Sequence, residues 1–215
     1  MRAQPQFPNE QTGTGEFKRQ SDAFRHWVTE DGRSGYPAAA GRYHLYVSLA
    51  CPWAHRTIIV RALKGLTEVI GMTVVDPIRD DQGWAFHNGP GHSLDTTNGF
   101  HFLSAAYRAT DPNYHGRVTV PVLWDTVTKR IVTNSDDDLM RIFNGEFNRF
   151  TTSRLDLYPA ALRPQIDEMN DFVYERVNDG VYRAGFATSQ QVYERAARSV
   201  FVALDQLDTR LRDRR

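Results

Sequence analysis

Apolar and polar residues alternate over Tyr43-His44-Leu45-Tyr46-Val47-Ser48, a period of two that predicts a β-strand. After Cys51-Pro52 the period lengthens: Ile58, Ile59, Ala62 and Leu63 recur at helical spacing, and Gly65 suits the residue just past the helix end. Val69–Val75 reads as a second strand, stopped by Asp76-Pro77. Strand, helix, strand demands a crossover and therefore a parallel pair. From Asp80 to Gly116 the chain is rich in Gly, His, Asn and Asp, with one helix predicted around Phe102–Arg108. Val118–Trp124 and Arg130–Thr133 then predict a hairpin about a turn at Asp125–Lys129. Asn134-Ser135-Asp136 supplies capping chemistry for a helix carrying Leu139, Met140, Ile142 and Phe143, and Asp136, Asp137 and Asp138 complement its N-terminal dipole.

Beyond Thr151 the periodicity is helical throughout. One stripe runs through Ile166, Met169, Phe172, Val173 and Val177 and ends at Gly180; a second runs Val192, Ala196, Val200, Leu204, Leu207 and Leu211. Residues 1–40 hold scattered Gly and Pro and predict an irregular extension whose Phe17, Phe24 and Trp27 pack on the body. The expected organisation is an extension over 1–40, an α/β domain over 41–148 and an all-helical segment over 149–215.

The junction at Cys51 carries the chemistry. Pro52 fits the first helical position, where its missing N–H is not needed, which makes Cys51 the N-cap, facing unpaired N–H groups and the positive end of the helix dipole. Such a site favours thiolate over thiol. A buried cysteine acting as a small hydrophobe is the structural alternative, and the cap position argues against it. A βαβ unit, a hairpin and a helix, with a cysteine capping the first helix, make a thioredoxin-like plan. In that plan Pro121 lies in front of the cysteine loop, so its peptide bond is expected cis, presenting the N–H and C=O of Val120 to a peptide-like ligand as an added strand would. The position three residues after Cys51 is Ala54, so no second thiol resolves a mixed disulfide, and an external low-molecular-weight thiol must.

Composition narrows the classes. Lys+Arg and Asp+Glu both number 26, so no net field draws nucleic acid or an anionic membrane. One cysteine excludes an internal disulfide scaffold. No apolar run reaches the roughly 18 residues of a membrane span, and Met1–Phe7 lacks a signal-peptide core, so cytoplasmic residence is expected. His87, His92, His101 and His115 show no ligand spacing, and no metal is expected; His55 reads as a packing residue.

Gly41-Arg42-Tyr43-His44-Leu45-Tyr46-Val47 leading into Cys51-Pro52-Trp53-Ala54-His55-Arg56 resembles the glutathionyl-hydroquinone reductases, the Xi class of glutathione transferases. Gly83-Trp84-Ala85-Phe86, the segment Gly116–Asp125 and Gly180–Ala187 agree, so the resemblance spans essentially the whole chain. It implies a thioredoxin-like N-terminal domain followed by an all-helical transferase domain, with glutathione as co-substrate and a glutathionyl-hydroquinone as substrate. It also implies a homodimer in the full-length family. By resemblance Cys51 is the nucleophile, and Tyr182 lines the quinone pocket and handles the proton of the departing ring carbon. Trp84 packs on glutathione, Arg117, Val118, Thr119 and Val120 bind its backbone, and Ser135 with Asp136 holds its γ-glutamyl group.

Two departures shape the expectations. The family shows Glu-Ser where this chain has Ser135-Asp136, which predicts weaker glutathione binding or another thiol as donor, as in an omega-like thioltransferase or dehydroascorbate reductase. The family's helical domain also continues past the point where this sequence ends, at Asp213-Arg214-Arg215. The helical domain is thus expected to be incomplete, with further cysteine-acidifying tyrosines missing and the stripe from Val192 to Leu211 exposed. On this reading the chain alone is poorly soluble or oligomeric and less active than a full-length relative. A non-catalytic binding module or unstable fragment is the alternative from another class.

Overall fold

The structure, a computed structural model, describes residues 7–80 and 82–212. Met1–Gln6, which carry most of the signal-peptide reading, and Asp213–Arg215 lie outside the described residues. Contacts divide the chain into two compact units, Asp22–Leu157 and Met1–Ser21 with Tyr158–Arg215. The extension read as one segment is thus shared between the two.

The first unit holds β1 (Tyr43–Val47), α1 (Pro52–Leu63), β2 (Gly71–Val74), α2 (Ser104–Thr110), β3 (Val122–Asp125), β4 (Arg130–Thr133) and α3 (Asp136–Gly145). The sheet runs β2-β1-β3-β4. β1 pairs parallel with β2, Leu45 opposite Met72, because α1 carries the chain back across the sheet. β3 runs antiparallel to β1, Leu45 opposite Leu123, and turns into β4 through a hairpin in which Lys129 takes φ 55°. This is the expected thioredoxin-like plan. Leu45, Tyr46, Val47, Ile70, Val122, Leu123, Trp124, Ile131, Leu139, Ile142 and Phe143 bury fully or nearly so, α1 packs against α3, and α2 packs against β4.

β3 begins at Val122 rather than at Val118. The Tyr107 hydroxyl accepts from the Thr119 N–H at 3.2 Å and donates to the Thr119 C=O at 3.0 Å, so that residue's backbone is satisfied outside the ladder. At the other side of the sheet, residues 24–26 run along the edge strand β4. The His26 N–H donates to the Val132 C=O at 3.0 Å, and the Asn134 N–H to the Phe24 C=O at 3.1 Å. The segment covers an edge that would otherwise expose unpaired backbone groups. Arg25 fixes it with two bonds to Asp138, at 2.8 and 2.6 Å, and the Trp27 indole donates to Glu146 at 3.1 Å.

The second unit contains α4 (Arg163–Val173), a π-helical turn over Tyr174–Asn178, α5 (Gly180–Gly185) and α6 (Gln190–Leu211). The predicted single stripe from Ile166 to Gly180 is therefore interrupted, and Gly180 opens a helix instead of closing one. It is buried, and a Cβ there would lie 3.0 Å from Val200 Cγ2, a tight contact that a larger residue would make only if the Val200 side chain gave way. Phe7 and Phe17 pack on Phe186, each with ring centroids 5.1 Å away. On α6, Val192, Val200 and Ala203 are buried while Phe201, Leu204 and Leu211 are 67%, 42% and 59% exposed. An apolar face of this kind favours association. The expected result is concentration-dependent self-association in size-exclusion chromatography, relieved by Phe201→Lys with Leu211→Lys. A clean monomer at high concentration would argue against it.

Candidate active site

The loop before α1 delivers Cys51 to the helix start. The Ser48 hydroxyl accepts from the Ala50 N–H at 3.2 Å, the Cys51 N–H donates to the Ser48 C=O at 3.1 Å, and the Cys51 C=O accepts the first helical bond from His55 at 3.1 Å. Cys51 has extended dihedrals, φ −100° and ψ 113°, with Pro52 at the first helical position, as the sequence predicts for an N-cap. Its side chain makes no capping hydrogen bond; the half-buried sulfur turns instead to the Val120 carbonyl oxygen, 3.7 Å away. The Val120–Pro121 peptide is cis, and both side chains are buried. Sulfur, positive helix end and a fixed backbone carbonyl therefore meet at one point.

A chain of contacts leads from that point to the start of α3. The Thr119 hydroxyl accepts from the Asn134 amide at 3.1 Å. Next to it, Ser135 caps α3, its Oγ accepting from the Asp138 N–H at 3.3 Å, and the side chain is buried. Asp136 is engaged by Arg56 of α1, which donates from Nε at 2.9 Å and from Nη2 to the same carboxylate oxygen. The pair is partly shielded, with side chains 34% and 13% exposed. Burial pushes the Asp136 carboxyl above its ordinary value, and the Arg56 guanidinium pulls the other way. Arg56 also lies 5.8 Å from the Trp53 ring centroid. Asp136, expected to meet a ligand ammonium, is thus already paired within the protein. Arg56 is the functional candidate that the sequence reading missed. Its signal was its place in the Cys51–Arg56 motif, one turn into the helix that starts at the thiol.

The other expected residues are placed as follows. Trp84 is half-buried against the core and its C=O accepts from the Leu103 N–H at 2.9 Å. Arg117 holds the Tyr114 hydroxyl on its C=O at 2.8 Å, and Val118 packs half-buried on the core. Tyr182 belongs to the helical unit, on α5, half-buried beside Phe186. Among the described residues no group of three or more His, Cys, Asp and Glu is arranged to hold a metal ion, and no helix is long and apolar enough to cross a membrane.

The sheet unit is thus thioredoxin-like, with a cysteine at the start of α1, and the second unit is helical. The family model of the glutathione S-transferase N-terminal domain matches residues 50–139. The chain is 48% identical to the glutathionyl-hydroquinone reductase YqjG of Escherichia coli, over 90% of this chain and 61% of that protein. It is 44% identical to the glutathionyl-hydroquinone reductase PcpF of Sphingobium chlorophenolicum, over 93% and 63%. Among solved structures, the glutathione transferase Xi of Phanerochaete chrysosporium superposes with a TM-score of 0.88 at 46% identity, covering 92% of this chain and 67% of that one. The glutathione-bound structure of Escherichia coli YqjG gives 0.84 at 48% identity, covering 87% and 63%. The chain belongs to the Xi class of glutathione transferases. It spans about three fifths of the length of these curated relatives, 61% and 63%.

Proposed function

We propose that this chain reduces glutathionyl-hydroquinones to hydroquinones at the expense of glutathione, with Cys51 as the nucleophile. The observation that carries this reading is the single sulfur at the N-terminal end of α1, 3.7 Å from the Val120 carbonyl, with no second cysteine in the chain. The names of the Escherichia coli and Sphingobium chlorophenolicum relatives support the substrate class.

In the first half-reaction the Cys51 thiolate attacks the glutathionyl sulfur. The carbon–sulfur bond breaks, its electron pair goes to the ring carbon, and Tyr182 supplies that carbon with a proton. Hydroquinone leaves and Cys51 is left as a mixed disulfide with glutathione. In the second, an incoming glutathione gives its thiol proton back to the Tyr182 phenolate and attacks the mixed disulfide. Glutathione disulfide departs and the Cys51 thiolate is restored. Of the Arg117–Val120 segment, the Val120 backbone presented by the cis peptide pairs with the peptide portion of glutathione, Trp84 packs on it, and Ser135 receives the γ-glutamyl end, beside an Asp136 already tied to Arg56. Cytoplasmic residence and a homodimer belong to the same reading. The test is stoichiometry: hydroquinone and glutathione disulfide should form one for one from glutathionyl-hydroquinone and glutathione. Disulfide formation without hydroquinone release would redirect the reading to a general thioltransferase.

The γ-glutamyl site makes a separate prediction. With Asp136 occupied by Arg56, little carboxylate charge is left for the ligand ammonium. Ser135→Glu with Asp136→Ser supplies a carboxylate one residue earlier and releases the guanidinium for a ligand carboxylate. Glutathione should bind about tenfold tighter, the effect of roughly one charge-assisted hydrogen bond. Calorimetry showing unchanged or weaker binding would mean that the pair is wrongly aligned with the ligand.

A further inference from the structure

The N-terminal segment is tied to the helical unit at several points. Gln11 Nε2 donates to the Phe186 C=O at 2.9 Å, and the Thr188 N–H donates to the Gly15 C=O at 3.1 Å. Gly15 sits at φ +88°, a left-handed conformation that favours glycine, and a Cβ on it would lie 2.6 Å from Thr188 Oγ1, so a side chain there would be strained and would have to displace that hydroxyl. The Phe7 and Phe17 rings hold Phe186 from the same segment. Phe186 in turn lies one turn beyond Tyr182, with ring centroids 5.8 Å apart, and its N–H donates to the Tyr182 C=O at 2.9 Å. Four residues past Gly15, Arg19 places its guanidinium over the Tyr182 ring, 5.0 Å from the centroid.

A cation over the face of an aromatic ring is attracted by the ring's electron density, and the attraction grows when that ring carries negative charge. Tyr182 is such a ring once its proton has passed to the departing hydroquinone carbon. Gly15 and the aromatic cluster set the path of the segment, and the segment sets where Arg19 stands.

We propose that Arg19 is a positioning residue for Tyr182, delivered by the N-terminal segment to fix the phenol ring and to favour the charge it holds between the two half-reactions. The proposal rests on the role given to Tyr182 above. It makes the segment around Arg19 a working part of the site, not only a structural strap.

The test uses the full chain and four variants: Arg19→Met, Arg19→Lys, Tyr182→Phe, and Arg19→Met with Tyr182→Phe. Arg19→Met should lower kcat roughly 3- to 30-fold, the scale of one shielded cation–π contact, with the KM for glutathione unchanged. Arg19→Lys keeps the cation and should restore most of the rate. In the Tyr182→Phe background, where no phenolate forms, Arg19→Met should have no further effect on kcat. An equal fractional loss in both backgrounds, or a Lys variant as slow as the Met variant, would overturn the proposal. If Arg19→Met fails to fold, Arg19→Gln takes its place in both backgrounds, and a loss of kcat confined to the tyrosine background supports the proposal while an equal loss in both, or none in either, overturns it. Full turnover in Tyr182→Phe alone is a different result, which removes the tyrosine's role and the proposal with it.

Discussion

Cys51→Ala should release no hydroquinone from glutathionyl-hydroquinone above the uncatalysed rate, a fall of about four orders of magnitude or more, as is typical when a covalent nucleophile is removed. Alanine leaves nothing to take the glutathionyl sulfur, and no other cysteine exists in the chain to substitute. Cys51→Ser should retain at most a trace, because an alkoxide oxygen forms no stable bond of this kind to sulfur. The fold should survive both changes. The side chain makes no capping hydrogen bond to α1, and its contact with the Val120 carbonyl is a weak S–H···O at 3.7 Å. Rates should be measured beside thermal melts, and intact mass should show one glutathione on the wild type and none on the alanine variant. Turnover in a folded Cys51→Ala protein would remove the mechanism.

Asp125→Ala should destabilise the sheet unit by about 3–5 kcal/mol, a large share of the 5–15 kcal/mol that holds a domain folded. Asp125 is fully buried at the end of β3 and accepts from Arg42 Nε at 2.9 Å and Nη2 at 2.7 Å, from the Val127 N–H at 3.0 Å and from the Thr128 hydroxyl at 2.8 Å. The substitution orphans a guanidinium that is itself only 15% exposed and unties the turn of the hairpin that precedes the α3 site. Burial alone would push the Asp125 carboxyl up, but Arg42 and the turn donors outweigh it and hold it below the usual carboxylate range. A depressed carboxyl contributes its stability fully above the unfolded value of about 3.9 and loses it as pH falls through the lower folded value. The wild type should therefore lose stability in acid, while Asp125→Asn is weaker at neutral pH and flatter below pH ~4. Urea titrations at pH 7 and in acid measure both. A loss under about 1 kcal/mol for Asp125→Ala would show that Arg42 finds water instead.

The elements around the thiol were legible because their signals are local. Alternation wrote β1, Pro52 after Cys51 wrote the helix start, and Asn134-Ser135-Asp136 wrote the cap of α3, each within a few neighbouring residues. Short apolar strands around Asp125–Lys129 likewise wrote the hairpin. The resemblance added roles for Trp84 and Tyr182 that no local pattern carries.

What only the tertiary structure decided joins residues far apart in the chain. Arg56 and Asp136 are 80 positions apart, and their pairing exists because α1 packs against α3, so Asp136 read in isolation looked available to a ligand. The extension looked uniform in composition, yet Phe24 and Arg25 follow β4 while Phe17 and Arg19 meet Phe186 and Tyr182. The π turn at Tyr174–Asn178, and Gly180 opening α5 where the apolar stripe read as ending, carry no signal in the local periodicity. By itself the sequence determined the strands and helices around the thiol and the place of the thiol, since backbone preference and side-chain period act over a few residues. The partners of that thiol's neighbours were left to the packed structure, because a charge or a ring takes as its partner whatever group packing brings within reach.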